Sequence, residues 1–317
     1  MIAIVLIAIA AGCASALMFA SIVSGALISL LLFYLAPLPL MVAALGWGPL
    51  SATIGGIAAA TVLGAIFGLP YCIAFVVATA LPAWWLGYLA LLGRPLATGT
   101  QTANDAAALE WYPVGRILLW IVIFATLMIT ATLLTMGSDG PSITGTMRSA
   151  WTHLLETVGV TPTDRALNAL VAIAPAAAAI FVTMTLTLNL WLAAKITATS
   201  GRLHRPWPDL RSAALPPLTL AALCVAIAFC FSGGLLAILA QIVTAALLIA
   251  FALTGFAVLH TLTLALKNRA LWLICTYAIV VIFSWPVLAM VILGVADALL
   301  GIRQRYLQGR PPPLPAS

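Results

Sequence analysis

The first 92 residues of this chain contain no Asp, Glu, Lys or Arg, and this feature limits its possible folds more than any other. Gly and Pro residues divide the stretch into four apolar runs, at positions 2–22, 26–46, 49–69 and 71–92. Each run has about 20 residues, the length at which an α-helix crosses the roughly 30 Å hydrocarbon layer of a membrane. The beginning of the chain therefore predicts four closely connected transmembrane helices.

The rest of the chain has the same character, because hydrophobic residues make up 64% of the whole and charged residues only 6%. Soluble domains contain about 25% charged residues, so this composition requires lipid as the solvent. The lengths of the runs favour helices over barrel strands, which alternate over about 10 residues. We predict an all-α, polytopic transmembrane helix bundle with eight or nine spans. The later runs lie at 116–136, 166–196, 215–232, 235–264 and 271–300. The last of them either crosses once or is broken at Ser284-Trp285-Pro286.

Polar segments between the runs indicate the domain organisation. We expect a four-span N-terminal unit at 1–92, a polar cytoplasmic loop at 93–115, a C-terminal helical unit at 116–300 and a basic, Pro-rich tail at 301–317. Within the C-terminal unit, 137–165 is predicted to be external and 197–214 to be a basic cytoplasmic loop.

The external segment contains apolar residues at helical spacing, with charged residues off the stripe. This pattern predicts an amphipathic helix that lies in the membrane interface. Two roles remain open for it, a lid over the outer mouth of the bundle or a helix that rests on lipid. The stripe includes Ile143, Met147, Trp151 and Leu155, and the residues off it include Arg148 and Glu156.

Lys and Arg outnumber Asp and Glu by thirteen to seven. Almost all the basic residues fall between apolar runs, where an anionic membrane surface explains them, so we expect membrane lipid and no nucleic acid as a partner. Lys and Arg prefer the cytoplasmic side of membrane proteins. With the N-terminus inside, nine spans place eight of them inside and five outside, whereas eight crossings place eleven inside and two outside. The count favours eight effective crossings and leaves the side of the C-terminus open.

No catalytic or metal-binding constellation stands out in the sequence. Residues 140–146 have the glycine spacing of a phosphate-binding loop, but they lack its Lys and follow no strand. The three histidines form no ligand motif, and the five cysteines occur singly inside apolar runs, as small buried hydrophobic residues do. We therefore predict no enzyme, no cofactor and no metal site. Asp105 and Glu110 leave an intramembrane lipid transferase as an alternative.

Aromatic and proline residues mark a candidate ligand site at two places. Tyr34 and Pro37 lie in the second run, and Trp84 and Trp85 lie in the fourth. Proline frees backbone carbonyl groups and aromatic rings supply flat apolar walls, so together they suit an organic ligand. The alternative for the two tryptophans is an aromatic belt at the membrane surface.

Polar side chains inside the apolar runs are costly and therefore informative. Asp297 is the only acidic residue embedded in such a run. It is a candidate ligand-binding residue, or it forms a structural pair with Arg303. Asn189 lies deeper, and we expect it to form hydrogen bonds with neighbouring helices.

The first run carries a small residue at every fourth position, at Ala8, Gly12, Ala16, Ala20 and Ser24. Such a face lets helix backbones approach closely in lipid. It therefore predicts tight packing of Gly12, Ala16 and Ala20, against either a helix of the same chain or another membrane subunit.

Two short motifs resemble the YybS-like family of predicted bacterial membrane proteins, in its alphaproteobacterial form. They are Phe-Tyr-Leu-Ala-Pro-Leu-Pro at 33–39, and Leu-Gly-Val-Ala-Asp at 293–297 followed by Arg303-Gln304-Arg305. The resemblance extends over most of the chain and implies a multi-pass protein of the bacterial inner membrane. That family is distantly similar to the substrate-binding subunits of energy-coupling-factor transporters, which dock a membrane subunit through a small-residue face. By this resemblance Gly12, Ala16 and Ala20 form a docking face, although such subunits have fewer spans than this chain.

The sequence thus favours a non-enzymatic membrane protein that binds a small organic solute and assists its uptake, powered by a partner or a gradient. The absent nucleotide motif and the small-residue face are the basis for this hypothesis. The first alternative is an envelope scaffold or assembly factor that uses the basic loop and tail. The second is the lipid transferase.

The topology makes a direct prediction for cysteine labelling in intact cells. With an impermeant reagent, a cysteine introduced at position 145 should react and one at position 204 should not, because the Lys and Arg bias places 197–214 inside and 137–165 outside. Labelling at 204 but not at 145 would reverse the topology. Labelling of both positions after the cells are permeabilised is the control for accessibility.

Overall fold

The computed structural model describes residues 2–95 and 109–308, and helices form almost all of this part of the chain. The all-α prediction is confirmed. Two three-residue strands, β1 (Gly93–Pro95) and β2 (Leu109–Trp111), pair antiparallel within the predicted polar loop; Asp105 lies outside the described residues. The helices are α1 (Ile2–Ala20), α2 (Leu27–Leu35), α3 (Pro37–Trp47), α4 (Pro49–Phe67), α5 (Leu69–Phe75), α6 (Leu81–Leu91), α7 (Val114–Met136), α8 (Gly140–Thr157), α9 (Asp164–Thr199), α10 (Leu218–Phe229), α11 (Gly234–Leu262), α12 (Arg269–Phe283), α13 (Val287–Leu300) and α14 (Ile302–Gln308).

Seven helical segments in the described part of the chain are long and apolar enough to cross a membrane. The protein is therefore an integral, multi-pass membrane protein. Three further apolar helices, α10, α12 and α13, have 12, 15 and 14 residues. At 1.5 Å per residue each spans roughly 18–23 Å, which is less than the hydrocarbon layer. The seven long segments are Ile2–Ser24, Leu27–Trp47, Pro49–Phe67, Leu69–Leu91, Val114–Met136, Asp164–Thr199 and Gly234–Leu262.

Glycine and proline end the N-terminal helices where the sequence predicts. Gly48 and Gly68 have φ angles of 93° and 90°, which only glycine adopts without strain, and each stands immediately before a new helix. Pro49 and Pro70 then occupy the first turn of α4 and α5, where a missing backbone N–H costs nothing. Short connections between consecutive spans follow from this local chemistry.

The last apolar run is broken at Ser284-Trp285-Pro286, which is one of the two predicted alternatives. Ser284 has a φ of 57°, and Pro286 precedes the first residue of α13. A proline cannot donate the hydrogen bond that a continuous helix requires at this point. The run at 271–300 therefore forms the two separate helices α12 and α13.

The chain divides into two compact units: unit 1 comprises Met1–Met128 and Phe181–Pro208, and unit 2 comprises Ile129–Ile180 and Asp209–Ser317. The predicted four-span N-terminal unit is thus part of a larger one. The added segments of α7 and α9 belong to it because they contribute buried side chains to its hydrophobic core. These residues are Ile117, Ile121, Phe124, Leu186 and Ala193.

The predicted small-residue face lies in a tight seam between α1 and α4 in unit 1. A Cβ atom placed on Gly12 would approach the Gly55 Cα to 2.9 Å, and one placed on Gly55 would approach the Ala8 carbonyl carbon to 3.1 Å. Ala16 is buried as well, and Ala20 is half-buried. A helix of the same chain therefore occupies the Gly12 side of this face.

The predicted amphipathic helix is present as α8 in unit 2. Asp139 caps its N-terminus by accepting a hydrogen bond from the Ser142 backbone N–H at 2.8 Å. Hydrogen bonding to the Ser142 side chain, and then to this backbone N–H, lowers the pKa of Asp139. On the apolar stripe Ile143 and Met147 are buried. On the other side Arg148 donates to Asp164 and Asn168 at the start of α9. These contacts pack α8 against other residues of unit 2. They do not decide whether α8 is a lid or a helix that rests on lipid.

The α1 and α4 seam makes a testable prediction about stability. The Gly12→Leu variant places a branched side chain where two backbones meet, so it should lose at least about 1–3 kcal/mol of stability through overpacking. The Ala10→Leu variant on an exposed part of α1 is the matched control and should unfold like the parent. Thermal unfolding of the purified proteins in detergent measures the difference, and equal melting temperatures for all three would contradict the seam.

Candidate functional site: a cavity beside Asp297

The candidate site in unit 2 is built on a close crossing of α11 and α13. A Cβ atom placed on Gly255 would lie 2.7 Å from the Met290 carbonyl carbon, and one on Gly294 would lie 2.9 Å from the Thr254 hydroxyl. Glycine at both positions lets the backbones touch, which is how helices gain packing energy in lipid. Phe251 lies on α11, one turn before Gly255, and is fully buried.

Asp297 stands one turn beyond the crossing and forms a buried ion pair with Arg303. The Arg303 Nη2 and Nε lie 2.7 and 2.9 Å from Asp297 Oδ2, and the Arg303 backbone N–H donates to Oδ1 at 2.9 Å. Both side chains are only 9% exposed. Gly301, with a φ of 62°, ends α13 and makes the turn that brings Arg303 back to Asp297. The structural pairing that the sequence left open for Asp297 is therefore present.

Arg303 also holds a loop of the same unit. Its Nη1 donates to the carbonyl oxygens of Arg211 and Ala213, at 2.5 and 2.9 Å. Every nitrogen of this guanidinium group is thereby engaged with a carboxylate or a carbonyl group. The Asp297 and Arg303 pair thus fixes the loop that precedes α10 against the end of α13.

A cavity of about 630 Å³ adjoins the ion pair, within the roughly 300–1,000 Å³ typical of small-molecule sites. Apolar side chains from α11 and from the loop before α10 form much of its wall. A few polar side chains interrupt that wall. Besides Asp297 and Arg303, the lining includes Phe251, Leu215 and Leu264 as apolar residues and Thr254, Thr261, Gln304, Asp209 and Arg211 as polar ones.

Asp209 and Arg211 form a second, more exposed pair at this cavity. Arg211 Nε donates to Asp209 Oδ1 at 2.8 Å, and the two side chains are 45% and 56% exposed, in that order. This hydrogen bond holds the pKa of Asp209 below its usual value. The pair therefore contributes its full stabilisation at pH values above the ordinary carboxyl pKa. This stabilisation is lost as the pH falls through the lowered pKa of Asp209.

The other predicted ligand-binding residues belong to unit 1, and the described contacts do not join them into one site. Tyr34 packs edge-on against Phe181 with ring centroids 4.5 Å apart, and Pro37 is buried at the start of α3. Trp85 contacts Trp120 on α7 at 5.1 Å, and Trp84 stacks on a neighbouring tyrosine of α6. A ligand cavity at these residues stays a prediction.

The break between α2 and α3 shows how unit 1 satisfies backbone groups near Pro37. The buried Ser15 hydroxyl donates to the Ala36 carbonyl oxygen at 2.7 Å. The buried Asn189 amide on α9 donates to the Tyr34 carbonyl oxygen at 2.9 Å, which confirms its predicted role as a hydrogen-bonding partner of a neighbouring helix. A carbonyl group left unsatisfied in lipid is expensive, so these contacts stabilise the broken helix.

Sequence reasoning found Asp297 but missed the cavity around it. The close crossing joins Gly255 to Gly294, and these positions are far apart in the sequence and lie among many other small residues. The only signal in the sequence is that Gly255 and Gly294 are both small residues within apolar helical runs. The loop residues Asp209 and Arg211 carry no pattern that points to a cavity.

Comparison with known proteins found no match. The chain matches no protein-family model, no curated protein and no solved structure. Within the part of the chain that the structure describes, no group of three or more His, Cys, Asp or Glu side chains is arranged to hold a metal ion.

The two ion pairs should differ in their effect on stability. The Arg303→Gln variant leaves a buried carboxylate without its charge partner and releases the loop carbonyls, which should cost about 3–5 kcal/mol. The Arg211→Gln variant breaks an exposed pair and should cost no more than about 1 kcal/mol. Thermal unfolding compares the variants, and hydrogen exchange at residues 209–213 should rise in Arg303→Gln. Equal stability of the two variants would contradict the structural role of Arg303.

Proposed function

We propose that this membrane protein binds a small organic solute in the cavity beside Asp297 and assists its uptake across the inner membrane of a bacterium. The observation that carries the proposal is the cavity itself. Its volume of about 630 Å³ and its largely apolar wall with a few polar groups are the features of small-molecule sites. A partner or an ion gradient supplies the energy, since the sequence has no nucleotide-binding motif.

The charges at the cavity indicate the chemistry of the solute. Two carboxylates and two guanidinium groups line it, so its wall has no net charge. Asp297 and Arg303 are buried and committed to each other, whereas Asp209 and Arg211 are exposed enough to exchange partners. A neutral or zwitterionic solute with an apolar part fits this arrangement, because an unbalanced charge on the solute would find no matching charge.

Binding without catalysis is the function that these residues favour. Asp297 accepts two hydrogen bonds from Arg303 and forms an ion pair with its Nη2, so this carboxylate is engaged in a structural contact. Its neighbours Thr254 and Thr261 donate their hydroxyl protons to backbone carbonyl groups of α11. The polar groups of the cavity therefore serve to hold the loop and to orient a solute.

Docking of the proposed partner through the small-residue face of α1 stays a prediction, and a helix of the same chain covers part of that face. Gly12 faces Gly55 of α4, so that side of the helix is covered within the chain. The resemblance to the YybS-like family and to the binding subunits of coupled transporters supports a partner in general terms. It does not identify the surface that the partner contacts.

Mass spectrometry of the purified protein tests solute binding. We expect a small molecule to be extracted from the parent protein in a fixed molar ratio. The Ala214→Trp variant adds an indole ring at an exposed lining position of the cavity and should reduce that ratio at least tenfold.

The matched control is Ala270→Trp, which adds the same ring at an exposed position of unit 2 outside the cavity lining. This variant should retain the molecule at the parent ratio. Absence of any extracted molecule from the parent, or equal ratios in all three proteins, would rule out the cavity as a solute site and favour the scaffold alternative.

A further inference from the structure

Three cations lie over three tryptophan rings in unit 1. The Lys195 Nζ is 5.2 Å from the Trp207 ring centroid. The Cζ atoms of Arg202 and Arg205 are 5.3 and 5.9 Å from the ring centroids of Trp47 and Trp111, respectively. We call these six residues the basic aromatic face. Each contact falls within the roughly 6 Å range in which a cation is attracted to an aromatic ring.

The basic aromatic face lies at one end of the helices of unit 1. Trp47 is the last residue of α3, and Trp111 ends β2, three residues before α7 begins. Arg205 donates through Nη1 to the Ala90 carbonyl oxygen near the end of α6, at 3.1 Å. Lys195 occupies the last turns of α9. Helix ends that gather Trp, Lys and Arg are typical of the boundary between hydrocarbon and headgroups.

These three cations have no carboxylate partner among the described residues. Arg94 pairs with Glu110 at 2.6 Å, and in unit 2 three arginines pair with aspartates. Glu110 is the single acidic residue in the described part of unit 1, against five Lys and Arg residues. An excess of positive charge therefore remains at this end of the unit.

Arg205 is the most buried of the three cations. It is half-buried, and this burial lowers the pKa of its guanidinium group. Its described contacts are one backbone carbonyl and one aromatic face. A partly desolvated cation without a counter-ion is costly and is stabilised by any anion that reaches it.

We infer that the basic aromatic face binds the headgroup of an anionic phospholipid. A guanidinium group above a tryptophan ring still has N–H groups free for an anion, and a guanidinium matches a phosphate in a bidentate geometry. The indole rings suit the ester region directly below the headgroup. A lipid is favoured over a soluble acidic partner because the face combines these rings with the ends of four apolar helices. The inference is independent of solute binding in unit 2.

Native mass spectrometry of the detergent-purified protein tests this site. Phosphatidylglycerol should bind at about one tenth of the concentration that phosphatidylcholine requires. Each cation near an anionic surface contributes roughly a fivefold factor, so Arg202→Gln/Arg205→Gln should lower the phosphatidylglycerol affinity at least tenfold. Arg202→Lys/Arg205→Lys, which keeps both charges, should recover most of this loss.

The charge-matched control is Lys267→Gln/Arg305→Gln, which removes two exposed cations from unit 2. Its affinity should stay within twofold of the parent. An equal loss in both double Gln variants, or no lipid preference in the parent, would overturn the inference. Displacement of the lipid by millimolar inorganic phosphate would assign the face to a free anion. Displacement by soluble polyglutamate would assign it to an acidic protein. A double Gln variant that is not monodisperse leaves the Lys variant and the control to decide.

Discussion

Direct contact between helix backbones is the interaction on which both units depend. Lipid tails are as apolar as leucine side chains, so burial of apolar surface gives little force between helices in a membrane. Attraction must come from close packing, which requires that no side chain separate the backbones. Gly12 and Gly55 meet this condition in unit 1, and Gly255 and Gly294 meet it in unit 2. Larger residues at these four positions would separate the helices that carry the rest of each unit.

The second constraint is that each interruption of a helix in lipid must be repaired. At the break between α2 and α3, Ser15 and Asn189 donate to carbonyl groups. At the end of α13, Asp297 accepts the Arg303 backbone N–H, and Arg303 in turn binds two loop carbonyls. Four buried polar side chains, Ser15, Asn189, Asp297 and Arg303, therefore serve to satisfy backbone groups at breaks. The cavity of unit 2 lies at such a repaired break, where the chain departs from regular helical packing.

The sequence predicts the fold well because the relevant signals are local. Gly48 and Gly68 mark helix ends through their own backbone angles, and the break beside Pro286 follows from its missing N–H. The spacing of Gly12 along α1 likewise shows a close-packing face. Its partner is Gly55, and nothing in the local sequence specifies which helix supplies that partner. The division into two units was not predictable for the same reason, since it depends on which core the α7 and α9 side chains join.

The candidate sites were only partly predictable, because each depends on pairs that are remote in sequence. Asp297 is conspicuous as a lone acidic residue in an apolar run, and Arg303 is only six residues away. The cavity next to them also needs Asp209, Arg211 and the glycine crossing, which local patterns do not connect.

The net charge of +6 has a structural distribution that the count alone does not reveal. Four of the described acidic residues pair with an arginine of their own unit, and Asp139 caps α8. These five carboxylates thus contact groups of their own unit, whereas Lys195, Arg202 and Arg205 lie over tryptophan rings. A ring attracts a cation without neutralising it. The described part of unit 1 therefore keeps an excess of positive charge at one end of its helices, which an approaching anion would balance.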